Sequence, residues 1–133
     1  QRCVERTWQV VARVGLKDKV YFPARMLPHG DQRKLELGMI LAPDPSVLLL
    51  DEPTAGMAAE QVPELINLIQ EVQQAGTKTV ILVEHNMNVV MSISDTITVM
   101  NLGKKLAEGS PEEITKNKEV QTAYLGGLYE LEF

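Results

Sequence analysis

A single cysteine among 133 residues, Cys3, excludes an internal disulfide and any metal site built from several thiolates. Long apolar runs are missing too: none approaches the ~20 residues of a helical membrane span. Positive charge is scarce, with 13 Lys and Arg against 18 Asp and Glu and a net charge of −5. Phosphate-backbone binding draws on clustered cations that release counterions, so nucleic acid is not an expected partner. The phosphate loop G-x-x-x-x-G-K-[ST] is also absent. The one Gly-Lys pair, Gly103-Lys104, is followed by Lys105 and has Thr98 where the first glycine belongs. The opening Gln-Arg-Cys-Val-Glu-Arg is neither an initiator methionine nor a signal peptide, which leads us to expect a piece of something longer.

What is present suffices for one globular domain: 44% of residues are apolar, and at this length folding buries roughly two-thirds of the unfolded surface. Val4, Trp8, Val11 and Leu16 recur at near-helical spacing and predict a helix over about residues 2–14, stopped by Gly15. Residues 17–28, with Pro23 and Pro28, read as a connector into a helix starting near Gly30 or Asp31, with Leu35, Met39 and Ala42 as its buried stripe. Pro43 and Pro45 end it. Val47 to Leu50 is a continuous apolar run, expected to be a strand covered on both faces. Val62, Leu65, Ile66, Ile69 and Val72 mark a helix over 59–75, with Pro63 in its first turn and Gly76 closing it.

Thr79 to Val83 is a second β-branched strand, followed by a helix from Asn86 to about Ser94 with Met87, Val90 and Met91 inward. Thr96 to Met100 and Lys105 to Ala107 flank a turn at 101–104 and predict a terminal hairpin. Ser110-Pro111-Glu112-Glu113 caps a short helix, and a last helix from Val120 to Tyr124 stops at Gly126-Gly127. Leu128 to Phe133 is too short to classify. Strand and helix alternate from 46 to 101, which predicts two crossover units and hence an α/β parallel sheet with flanking helices.

Asp51 and Glu52 stand at the carboxyl end of the first strand, and Glu84 and His85 at that of the second. Open α/β sheets place their ligand crevices at this edge, so acids and a histidine converge on one rim. An acidic pair there can hold Mg²⁺ through Asp51 and polarise a water through Glu52.

With these residues in order, the chain resembles the carboxyl-terminal half of an ATP-binding-cassette (ABC) ATPase, and most of all the ATPase subunits of branched-chain amino-acid importers. Leu27-Pro28-His29-Gly30-Asp31 stands where that family has its Leu-Ser-Gly-Gly-Gln signature, Val47 to Glu52 matches the Walker B strand, Ala55 to Ala58 the D-loop, and His85 the switch histidine. The stretch Glu108 to Ile114 and the tail Ala123-Tyr124-Leu125-Gly126 also look like that subgroup's carboxyl terminus.

The resemblance implies a partial P-loop NTPase fold lacking the Walker A strand, with residues 1–45 in the helical subdomain and 46–133 in the RecA-like core. It implies Asp51 as the Mg²⁺ residue acting through water, Glu52 on the attacking water, His85 at the γ-phosphate, and Gly30, Asp31 and Gln32 facing the ATP of a partner subunit. ATP and Mg belong to the complete protein, whose partners would be a second ATPase subunit and membrane permease subunits, at the cytoplasmic face of the cell membrane. Pro28 replaces the family's serine, Asp31 puts a carboxylate where glutamine is usual and would repel a triphosphate, and Ala58 replaces the D-loop aspartate. These departures support an alternative, a degenerate non-catalytic ABC-like interaction module. Without Walker A we expect this chain alone to bind no cofactor tightly and to be inactive. In the family the phosphate-loop strand lies beside the strand holding Val80 to Val83, so its absence should leave an open edge and promote self-association. A phosphorylation receiver domain, suggested by length and by Leu-Leu-Leu-Asp, fails because residues 2–14 read as helix and no lysine ends a later strand.

Overall fold

The computed structural model describes residues 2–125, and the expected stop at Gly126-Gly127 and the segment 128–133 lie outside them. The chain divides into two compact units, residues 1–85 and 86–133.

In the first unit, helix α1 (Arg2–Arg13) runs until Gly15 takes up a left-handed φ of 71°. Its buried face is only partly the expected one, for of the four spaced residues Leu16, just beyond the helix, is buried. Val10 and Val14 are buried, whereas Val4 and Trp8 are 60% and 47% exposed. The reason is Gly38 of helix α2 (His29–Leu41): the place its Cβ would occupy lies 3.4 Å from the side chains of Val10 and Val14, so the helices meet at a residue without a side chain. Helix α2 likewise turns a different stripe inward, Leu37, Gly38 and Leu41 with Asp31 and Lys34, and leaves Met39 68% exposed.

Strand β1 (Val47–Asp51) pairs in parallel with β2 (Thr79–Val83), Val47 opposite Thr79 through Asp51 opposite Val83. Helix α3 (Val62–Gln74) makes the crossover, starting three residues later than expected, with Pro63 in its first turn. Its Leu65, Ile66, Ile69 and Val72 are buried as the periodicity predicts. The expectation that β1 is covered on both faces does not hold. Leu48 and Leu50 are buried, while Val47, Leu49, Ile81 and Val83 are exposed by 49 to 70%, so helices cover one face of this sheet and the other is bare. An all-apolar strand hides its period from the sequence, because both faces carry the same residue class.

In the second unit, helix α4 (Met87–Ile93) begins at Asn86, whose Oδ1 accepts from the Asn88 and Val89 N–H groups at 3.1 and 3.4 Å. Strand β3 (Ile97–Asn101) pairs with β4 (Lys104–Gly109) in an antiparallel hairpin turned by Leu102 and Gly103, both at positive φ. The second crossover expected from the alternation therefore does not return to the parallel sheet. Among the described residues β3 bonds only to β4, and an alternation of strands and helices does not by itself say which strands pair. Helix α5 (Pro111–Lys116) starts at a capping box, with Glu113 N–H to Ser110 Oγ at 3.3 Å and Ser110 N–H to Glu113 Oε2 at 2.8 Å. Ile97, Val99, Ile114 and Val120 form this unit's core. The expected final helix is present, as an α-helical turn over Lys118–Val120 that passes directly into a π-helix over Gln121–Leu125.

Candidate functional site

The parallel ladder ends at Asp51 and Val83, and the Glu52 N–H adds one further bond to the Val83 carbonyl at 2.8 Å. Glu52 then turns the chain through a left-handed conformation, φ 42°, at a cost of order 1–3 kcal/mol for a residue with a side chain. The reversal aims its carboxylate back toward the end of β2. There the His85 Nδ1 lies 3.1 Å from Glu52 Oε1. Both side chains are open to solvent, 48% exposed for Glu52 and 76% for His85. The two residues expected to act on an attacking water and a terminal phosphate are thus adjacent, and such a pair can accept, hold and orient a proton between them. Asp51 is exposed on the same strand end.

Behind this rim, Glu84 Oε1 accepts from the Thr54 N–H at 3.1 Å and from the Thr54 hydroxyl at 2.6 Å. Thr54 is buried, and Glu84 Oε2 is buried with no hydrogen-bond partner among the described residues. The turn after Glu52 continues to Gly56, which sits at φ 73° with the His29 ring 3.2 Å from where a Cβ would be. The Arg33 guanidinium donates to the Ala55 carbonyl at 3.3 Å and to Glu36 at 2.7 Å. The signature-like start of α2 and the D-loop-like turn are therefore in direct contact.

The three residues expected to face a partner's ATP behave differently from one another. Gly30 is closely approached by the Gln61 carboxamide, 2.8 Å from its would-be Cβ. Gln32 donates its side chain to the Leu27 carbonyl at 2.8 Å. Asp31 is buried, hydrogen-bonded to Lys19, and 3.5 Å from the Lys34 ammonium, which also meets Glu64 at 2.5 Å. Burial pushes the Asp31 carboxyl up, but the hydrogen bond and charge of Lys19 together with Lys34 outweigh it and hold the carboxyl below its ordinary value. Inside the chain that carboxylate is paired with Lys19 and shares Lys34 with Glu64. The N-cap of α2, Pro28, makes no side-chain capping bond.

Among the described residues no three His, Cys, Asp or Glu side chains gather closely enough to hold a metal ion. One exposed carboxylate fits Mg²⁺ only in the manner of sites where substrate phosphates and waters complete the shell. Sequence reading named Asp51, Glu52, His85 and the Glu84-His85 pairing. Thr54, Gln61 and Lys19, and the contact of Arg33 with Ala55, are not visible in the sequence because their partners are remote, whereas the Arg33–Glu36 and Lys34–Asp31 pairs lie at readable i,i+3 spacing.

Residues 104–129 match the family model for the branched-chain amino acid ATP-binding cassette transporter. The chain is 44% identical over 120 residues to the high-affinity branched-chain amino acid transport ATP-binding protein LivG of Salmonella typhimurium, covering 90% of this chain and 46% of LivG. The chain belongs to the ABC ATPases. BraF of Pseudomonas aeruginosa, another branched-chain amino acid transport ATP-binding protein, is 45% identical over 103 residues, 77% of this chain and 40% of BraF. The crystal structure of the ADP conformation of MJ1267, an ATP-binding cassette of an ABC transporter, superimposes with a TM-score of 0.85 at 25% identity, covering 95% of this chain and 51% of MJ1267. CbiO1 of Clostridium perfringens, part of the transporter complex cbiONQ, gives 0.79 at 30% identity, covering 94% of this chain and 50% of CbiO1. This ABC chain thus spans about half the length of the relatives it matches. Its fold is the corresponding part of the ABC ATPase, a parallel sheet with flanking helices and a terminal hairpin.

Proposed function

We propose that this chain supplies the signature, Walker B, D-loop and switch-histidine part of an ABC ATPase that drives amino-acid import. Residues 1–45 belong to its helical subdomain and 46–133 to its RecA-like core. The observation that carries the reading is the 3.1 Å approach of His85 Nδ1 to Glu52 Oε1 at the carboxyl ends of two parallel strands. In this reading Glu52 would orient and deprotonate the attacking water, His85 would hold Glu52 and meet the terminal phosphate, and Asp51 would be the residue that helps to hold Mg²⁺. The bound Mg·ATP supplies the scissile phosphoryl group and the charge that the metal offsets. The first turn of α2, with Gly30, Asp31 and Gln32, faces the nucleotide of a second ATPase subunit. Permease subunits hold the assembly at the inner face of the membrane; among the described residues no helix is long and apolar enough to cross it.

The test is a chimera in which this chain replaces the matched part of Salmonella LivG. Magnesium-dependent hydrolysis is expected, with Glu52→Gln lowering kcat by about 10²–10⁴-fold, the usual contribution of a positioned general base. A chimera that folds and binds nucleotide but hydrolyses no faster than its Glu52→Gln variant would refute the assignment. The chain alone is expected to show no Mg·ATP binding by calorimetry. Ala58 and Pro28 favour the degenerate-module alternative, and a hydrolytic chimera eliminates it.

A further inference from the structure

We propose that Thr54 and Glu84 form a clamp that sets the distance between Glu52 and His85; this rests on the reading of that pair given above. The last rung of the ladder is the bond from Glu52 N–H to Val83 O, and beyond it the two strand ends have no backbone pairing among the described residues to hold them together. Glu52 and His85 are both exposed, so packing does not fix them either. Their separation is set by the backbones that carry them. Those backbones are joined two residues after Glu52 and one residue before His85, where a single carboxylate oxygen of Glu84 takes both the N–H and the hydroxyl of Thr54.

The clamp also accounts for two costs. Glu52 is held at positive φ, a conformation that a side-chain-bearing residue leaves unless its neighbours are pinned, and Thr54 pins the turn. Glu84 keeps one carboxylate oxygen buried with no partner among the described residues, an arrangement that stability alone does not favour. A threonine hydroxyl and a glutamate that trade stability for a fixed spacing are positioning residues. They touch neither water nor phosphate in this role.

The experiment is disulfide trapping in the 133-residue chain with Cys3 replaced by Ala. One variant carries Glu52→Cys and His85→Cys; a control carries Val47→Cys and Thr79→Cys, ladder partners at the far end of the sheet. Adding Thr54→Val should lower the effective concentration of the 52–85 pair about tenfold, the size expected for losing a hydrogen bond to a charged group, and leave the 47–79 pair unchanged. Thr54→Ser keeps the hydroxyl and should restore cross-linking. An unchanged 52–85 pair overturns the clamp, as does an equal fall at 47–79, which would make Thr54 a general support of the sheet. A Thr54→Ser variant as impaired as Thr54→Val overturns it also. If Thr54→Val does not fold, Glu84→Leu, which removes the acceptor of both bonds, is read by the same criteria. Cross-linking reports distance and not hydrolysis, so its failure leaves the roles of Glu52 and His85 to the chimera, and failure of the chimera leaves the clamp to this test.

Discussion

Asp31 illustrates how a substituted residue acquires partners that its position in a motif does not announce. Its carboxylate is paired with Lys19 and Lys34, and Lys34 reaches on to Glu64. A carboxyl whose folded pKa lies below its unfolded 3.8 contributes stability that is present above that value and lost as pH falls through the lower folded one. Asp31→Asn should therefore destabilise the chain by roughly 1–3 kcal/mol at pH 7, as expected for a hydrogen bond between charged groups. Urea titrations should show the difference from the parent shrinking as pH is lowered below 3.8. A difference that is constant from neutral to strongly acid pH would mean that the ion pairs contribute nothing.

At the level of elements, the turn from Glu52 to Gly56 depends on a glycine twice over. An alanine at position 56 meets the left-handed backbone penalty and the His29 ring at 3.2 Å. Gly56→Ala should cost roughly 1–2 kcal/mol for the backbone alone, with a steric increment that His29→Ala removes. A double-mutant cycle in denaturant isolates that coupling. In the second unit, Ser110→Ala removes one half of a capping box and should lower stability by about 1 kcal/mol.

The same elements show what could be read beforehand. Helix α3 is legible because five apolar residues repeat against polar neighbours, and the α5 cap because its residues are consecutive. The stripes of α1 and α2 are not. Their true contact runs through Gly38, and a glycine carries no apolar signal. Of the rim, Asp51, Glu52 and His85 are visible as residues that end strands. The Thr54–Glu84 bond and the His29–Gly56 contact are hidden, since each joins positions separated by a helix or a strand.

For the whole molecule, the bare face of the parallel sheet is the dominant feature. A two-stranded sheet is marginal unless something covers it, and here Leu49 is 70% exposed at the centre of four apolar side chains. The isolated chain should associate as its concentration rises, seen as increasing mass by light scattering, and Leu49→Glu should shift it toward monomer. Equal mass for both proteins over the same range would exclude this face as the contact. The second unit has its own buried cluster and a hairpin that pairs without help from the first.

The parallel pairing of β1 and β2 also fixes an order of events. Antiparallel neighbours can zip up from a short turn, but these strands are joined by a crossover from Glu52 to Lys78, and its closure costs entropy before any rung is gained. Helix α3 shortens that span, so strand registration waits on a helix, and the left-handed turn at Glu52 waits on registration. The residues with the most chemistry therefore hold their places only while the crossover keeps the two strands in register.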